Sequence, residues 1–226
     1  MEKICDTYLA APQLAAEGAH VISTDEKTGM QALERLFETK RVRPGLIERV
    51  EFEYIRHGTL CLMANFDVAT GRVIRPSIGP TRTEQDFVAH VDHTIDSDPH
   101  GSWIFVVDQL DTHISAGLVE LVARRCGIED DLGRKGKEGI LKAKKSRRAF
   151  LEDESHRIRF VYTPRHCSWL NQVEIWFSIL VRRLLKRSSF ASCADLKKRV
   201  LAFIDYFNAV LAKPFRWTHT GRPLQA

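Results

Sequence analysis

Five consecutive apolar residues at 103–107 (WIFVV) run directly into Asp108, and this stretch most narrows what the chain can fold into. A run that short, with no helical period, suits a strand buried on both faces, which in turn calls for a sheet covered by helices on both sides. A second short apolar run, HVIST at 20–24, also reaches a carboxylate, Asp25. Residues 58–67 and 72–78 are β-rich with ATG at 69–71 between them, the pattern of an antiparallel ribbon closed by a hairpin turn.

Helical patterns fill the gaps. Thr83 is placed as an N-cap, with Glu84 and Asp86 in the first turn and Phe87, Val88, Val91 and Ile95 on one face. Another helix is expected from about Ser115 to Cys126, then a buried strand at 157–162 halted by Pro164. Two long helices follow, one at 169–187 burying Val173, Trp176, Phe177, Leu180 and Leu184, the other at 192–211 burying Leu196, Val200, Phe203, Ile204 and Phe207. Residues 1–19 are an Ala-rich arm, helical or loop-like, broken by Pro12 and Gly18. The alternation reads as α/β, interrupted only by a Gly-, Lys- and Arg-rich insertion at 127–156.

At 226 residues the chain is expected to build one core. Five scattered cysteines, never spaced as CxxC, argue against a disulfide framework and a zinc knuckle and are read as reduced thiols. No apolar stretch approaches the roughly 18–20 residues of a membrane span, so no membrane partner is expected. The net charge of +5 conceals an asymmetry. Residues 1–113 carry 11 Lys and Arg against 18 Asp and Glu, net −7, whereas residues 114–226 carry 23 against 11, net +12. A basic half points to a polyanion such as DNA, and an acidic half can hold cations.

Chemistry gathers at three acids. Asp25 and Asp108 each end an apolar strand, where ligands of open α/β sheets bind, and Glu174 sits among apolar neighbours one turn into a helix. Taken singly, such residues are ordinary turn formers or helix-edge acids. Converged, each pair at about 4 Å costs on the order of 4 kcal/mol at an effective dielectric near 20, so they either protonate or hold cations. Oxygen ligands suit Mg2+ or Mn2+ rather than zinc, and two such ions about 3.5–4 Å apart serve phosphodiester cleavage.

Eight basic residues lie between Arg134 and Arg148, among them Lys142, Lys144, Lys145, Arg147 and Arg148, against the single acid Glu138. They form either a grip on a DNA backbone or a solvated face. Arg182, Arg183, Lys186 and Arg187 extend the Glu174 helix, where cations contact DNA or complement the helix dipole. His90 and His93, at i and i+3 without an acid of recognised spacing, are a poor zinc pair.

Five segments carry a family resemblance: STDEKTGMQALER at 23–35, FEYIRHGT at 52–59, NFDVATGRVI at 65–74, FVVDQLDTH at 105–113 and YTPRHCSWLNQVEIWFSILVRRLLKR at 162–187. Together they resemble the catalytic domain of bacterial insertion-sequence transposases, in the insertion sequence six-thirty family of the mariner-related DDE superfamily. The resemblance implies a ribonuclease-H-like fold, a mixed five-stranded sheet flanked by helices with its first and fourth strands side by side. It implies an arm at 1–19, a catalytic domain at 20–190 with its insertion at 127–156, and a C-terminal helix and tail at 191–226 packed on that domain. Asp25, Asp108 and Glu174 are then the ligands of two Mg2+ or Mn2+ ions in DNA strand cleavage and strand transfer. Glu26, Gln109, His113 and Asn171 are implied as supporting residues: Glu26 through a backbone or DNA contact, Gln109 by orienting a ligand or phosphate.

DNA is the implied partner, a homodimer the implied assembly, and the bacterial cytoplasm the implied location. Two departures stand out. The spacing from Asp108 to Glu174, 66 residues, exceeds that of compact mariner relatives, and about 20 residues precede the first strand where the family carries helix-turn-helix modules. A catalytically impaired, truncated transposase acting as a DNA-binding or dimerising inhibitor is therefore the competing expectation, with a general metal-dependent nuclease as a third.

Overall fold

Five strands lie in one mixed sheet: β1 (Ala19–Arg35), β2 (Tyr54–Asp67), β3 (Val73–Gly79), β4 (Ser102–Val107) and β5 (Ile158–Tyr162), in the order β3-β2-β1-β4-β5. They come from a computed structural model that describes residues 1–37, 40, 42–49, 51–186 and 188–222. The β1–β4 and β4–β5 pairs are parallel, and β1–β2 and β2–β3 are antiparallel. Among the described residues the α-helices are α1 (Glu2–Ala16), α2 (Glu84–Ile95), α3 (Ala116–Cys126), α4 (Lys144–Leu151), α5 (Gln172–Leu180) and α6 (Cys193–Tyr206).

The WIFVV run divides by parity, as a strand covered on both faces must. Trp103, Phe105 and Val107 meet α2, α3 and α4 through Phe87, Val91, Leu118, Val122 and Leu151. Ile104 and Val106 face α1, which buries Ile4, Cys5, Tyr8 and Ala11 against them. That apolar stripe keeps α1 helical through Pro12, although proline removes one backbone hydrogen bond. Towards the other sheet edge, α5 and α6 cover Leu62, Ala64, Phe66 and Val73 with Val173, Trp176, Leu180, Leu196 and Val200. Burial of each such side chain contributes about 1.5–3 kcal/mol.

The expected caps form. Thr83 and Asp86 make a reciprocal capping box on α2, and the Ser115 hydroxyl accepts from Leu118 N at the start of α3. The basic insertion is no free lid. It contains α4, and its Leu141 and Leu151 are buried in the core.

One expectation needs correction: β1 does not end at Asp25 but continues to Arg35. The β1–β4 pairing stops at Ser23↔Val106, while the β1–β2 pairing goes on through Asp25↔Ala64 to Arg35↔Tyr54. Register shifts between Lys27 and Met30 and between Gln31 and Leu33 break the alternation that would reveal a long strand. Gly29 supplies the positive φ of 67° that the first irregularity requires. The helix expected at 169–187 is also segmented, into a 3-10 turn at Ser168–Leu170, α5, and a π turn at Val181–Leu185.

Candidate active site

The parallel pairing of β1 and β4 places the two aspartates. Ser23 and Val106 are the last paired residues, and Asp25 and Asp108 each lie two positions further on, so the same register brings them side by side. Asp25 is buried, at 7% exposure. Its Oδ1 accepts from the Glu26 amide at 2.8 Å and its Oδ2 from Asn171 Nδ2 at 3.2 Å. Burial drives its pKa up to about 7; the charges of Asp108 and Glu26 add to the rise, while the Glu26 amide and His113 oppose it.

Asp108 has a different set of partners. Its Oδ1 lies 2.8 Å from His113 Nδ1 and accepts from Leu110 N at 2.9 Å. Burial alone would raise its pKa, but the His113 hydrogen bond, the Leu110 amide, and the charges of His113 and Arg82 hold it below the usual carboxylate range. His113 is fully buried on the 3-10 turn Asp111–Ile114, its ring tilted against Phe87. Its Nε2 lies 3.2 Å from Glu26 Oε1, so both ring nitrogens face carboxylates and both donate. Burial would lower the imidazole pKa, yet the bonds to Asp108 and Glu26 outweigh it and raise it to about 9.

Glu26 therefore has an interior role in place of the backbone or DNA contact expected of it. Its side chain is 2% exposed and engaged with His113, because alternation along β1 turns it away from Asp25 and toward α2 and the 3-10 turn. Gln109 donates from Nε2 to Thr163 O at 2.8 Å, joining the ends of β4 and β5, and lines the cavity beside Asp108.

Asn171 links the third acid to the first. Its Nδ2 donates to Thr24 O at 3.0 Å as well as to Asp25, and its Oδ1 accepts from the Ser23 hydroxyl. Ser23 Oγ in turn accepts from Val173 N at 2.9 Å, pinning the first turn of α5 to β1. Glu174 lies in that turn, its amide bonded to Asn171 O at 3.1 Å, and lines a surface notch with Lys27, Ser178 and Arg182. Among the described residues, no three His, Cys, Asp or Glu side chains are grouped closely enough to enclose a metal ion.

The basic residues separate by orientation. Arg147 donates from Nε to Ile114 O at 2.9 Å and from Nη1 to Leu141 O at 3.0 Å, tying the insertion to the core. Arg148 pairs with Glu152 at 3.0 Å and lies over the Tyr162 ring. Arg147 is thereby engaged with the core, whereas Arg148 stays 34% exposed in a surface pair. Lys142, Lys144 and Lys145 are exposed, and Lys144 pairs with Asp111 and lines a cavity beside Asp108. Arg182, Arg183 and Lys186 are exposed past α5, and Arg187 lies outside the described residues. His90 is buried with Nδ1 2.8 Å from Ser77 Oγ, and burial, reinforced by His93 and His113, depresses its pKa to about 3.

Sequence reasoning missed Ser23, Lys27 and Arg82. Ser23 signals itself only by standing two residues before Asp25 on one strand face. Arg82 is a single exposed cation in a loop, with no run or spacing to mark it.

A protein-family model described as DDE superfamily endonuclease matches residues 20–197. No curated protein matches the chain. Among solved structures, it is similar to the Mos1 transposase paired-end complex with left transposon end, at 14% identity and a TM-score of 0.54, over 96% of this chain and 55% of that one. It is also similar to the Mos1 mariner paired end complex with Mn, at 15% identity and a TM-score of 0.54, over 96% and 56%. The catalytic domain of Mos1 mariner transposase matches at 13% identity and a TM-score of 0.51, over 96% and 82%. At these identities the likeness establishes the fold alone, the ribonuclease-H-like sheet flanked by helices; this chain spans just over half the length of the Mos1 chains in the two complexes.

Proposed function

This chain belongs to the DDE superfamily of endonucleases, and from that membership we propose that it is a transposase catalytic domain that cleaves a DNA strand and transfers the cut end to target DNA. The observation that carries the reading is the placement of Asp25 and Asp108 on adjacent parallel strands, with Asn171 bonded to Asp25 and heading the helix turn that bears Glu174.

The chemistry of the donors suits a divalent cation, and a bound ion would have to draw the three carboxylates together, since among the described residues they do not form one metal-sized group. Asp25 is held near pH 7 by burial and by the charge of Asp108, and a cation relieves both effects at once. Asp25, Asp108 and Glu174 offer only oxygen, which suits Mg2+ or Mn2+. Two such ions, when bound, supply charge neutralisation at phosphorus and activation of the attacking oxygen. The protein's own residues set the geometry for that chemistry. His113, anchored on Glu26, holds one oxygen of Asp108 and leaves the other toward solvent, while Asn171 holds Oδ2 of Asp25. The attacking oxygen is first that of water and then that of the freed strand end, and no covalent bond to the protein is needed in either step.

The finer assignment follows the same reading: an insertion sequence six-thirty transposase of the bacterial cytoplasm, acting as a homodimer on two DNA ends, with residues 20–190 as the catalytic domain. The test is incubation of the purified chain with plasmid and oligonucleotide DNA in Mg2+ or Mn2+, beside Asp108→Asn and Glu174→Gln. Nicking and joining by the wild type, reduced to background in both variants, is the expected result. Equal nicking by all three proteins sinks the assignment.

A further inference from the structure

A cluster of acids repels the polyanion it is meant to cut, so cations must hold the strand on either side of it. Two separate notches adjoin the acids. The first, of about 460 Å³, is lined by Asp108 and by Lys144, Thr163, Arg165, His166 and Ser168. The second, of about 290 Å³, is lined by Glu174 and by Lys27, Phe177, Ser178, Val181 and Arg182. They share no residue: Asp108 lines one and Glu174 the other, while Asp25 follows the β1 register beside Asp108 and is bonded to Asn171, at the head of the Glu174 helix.

The cations in both notches have few or weak partners. Neither Lys27 nor Arg165 has an ion-pair or side-chain hydrogen-bond partner among the described residues. Arg182 donates only to Ser178 O, and Lys144 is paired with the largely exposed Asp111, a contact worth little in water. His166, next to Arg165, is held at φ 61°, a conformation that non-glycine residues seldom adopt and that gathers at ligand sites.

We propose that the two notches hold the phosphates flanking the scissile one, so that a single DNA strand crosses the acids from the Arg165 and Lys144 side to the Lys27 and Arg182 side. The proposal rests on the strand-cleavage reading above and adds to Lys144 and Arg182 two residues that belong to no basic run in the sequence, Lys27 and Arg165.

Fluorescence anisotropy of a labelled duplex with a single-stranded overhang, titrated in Ca2+ across a salt series, reads affinity and the number of phosphates contacted. Each of the double variants Lys27→Ala with Arg182→Ala and Arg165→Ala with Lys144→Ala is expected to weaken binding about 10-fold and to lower the slope of log K against log salt by roughly 1–2. Arg165→Lys, in the Lys144 wild-type background, should keep the wild-type slope, and Arg124→Ala, which loses only the pair that α3 makes with Asp92 of α2, should change neither quantity. All these positions are exposed or half-buried, and a thermal melt verifies the fold. A slope lowered by only one double variant, or by neither, overturns the two-sided path while leaving strand cleavage standing. A wild type that does not bind DNA overturns both.

Discussion

Asp25 and Asp108 occupy neighbouring strands at one end of the sheet, yet their environments push ionisation in opposite directions. Asp25 is deeper and meets a neutral amide, Asn171, so burial dominates and its charge is poorly compensated. Asp108 is more exposed and meets His113, which Glu26 keeps protonated from the far side. Two acids of one type, one strand apart, thus divide the work. One is held in a charged hydrogen-bonded frame, and the other is bonded only to neutral donors, which leave its charge poorly compensated.

His113→Ala should break this contrast most severely. It leaves Glu26 buried without a partner and releases Asp108, at a cost of about 3–5 kcal/mol, measurable by urea unfolding at neutral pH. In the wild type, His113 has a folded pKa raised to about 9, so its stabilisation is complete below the ordinary histidine range and declines as pH rises toward 9. The variant should lose that decline; the same decline in the variant would detach it from His113.

Asp25→Asn should act in the opposite sense. Because Asp25 titrates near pH 7 when folded, the metal-free protein retains a proton that the unfolded chain has released, and stability falls as pH climbs from the usual carboxylate range to about 7. Removing the charge should add roughly 2–4 kcal/mol above pH 7 and flatten that fall, while abolishing cleavage. Unfolding curves at several pH values in a chelator read it; a variant less stable than wild type at pH 8 would mean that Asp25 is well compensated after all. The smallest effect is expected from Gln109→Ala, about 1 kcal/mol for one lost hydrogen bond to Thr163, with DNA cleavage little changed. A large loss of cleavage there would show a direct role for the amide.

Much of the fold was readable from local pattern. The WIFVV run became a strand covered on both faces, Thr83 and Ser115 capped the helices assigned to them, and Val173, Trp176 and Leu180 turned inward. The full length of β1 was not readable, because two register shifts interrupt its alternation just where β4 ceases to pair with it. The site was readable as a list of acids but not as a set of partners. Glu26 and His113 are 87 residues apart and Asp25 and Asn171 are 146 apart, and no spacing in a single sequence reports such pairs. Density of basic residues misled in a similar way: Arg147 belongs to the richest run and is engaged with the core, while the isolated Lys27 and Arg165 face the notches beside the acids.

The sequence by itself determined which strands and helices form and which carboxylates they carry, since parity, apolar runs and caps act over a few residues. Only the tertiary structure decided how those carboxylates ionise and which cations stand next to them. Burial and electrostatic interactions act through space, and the groups that set them reach Asp25 and Asp108 from β1, the end of β4, the 3-10 turn and the loop before α2.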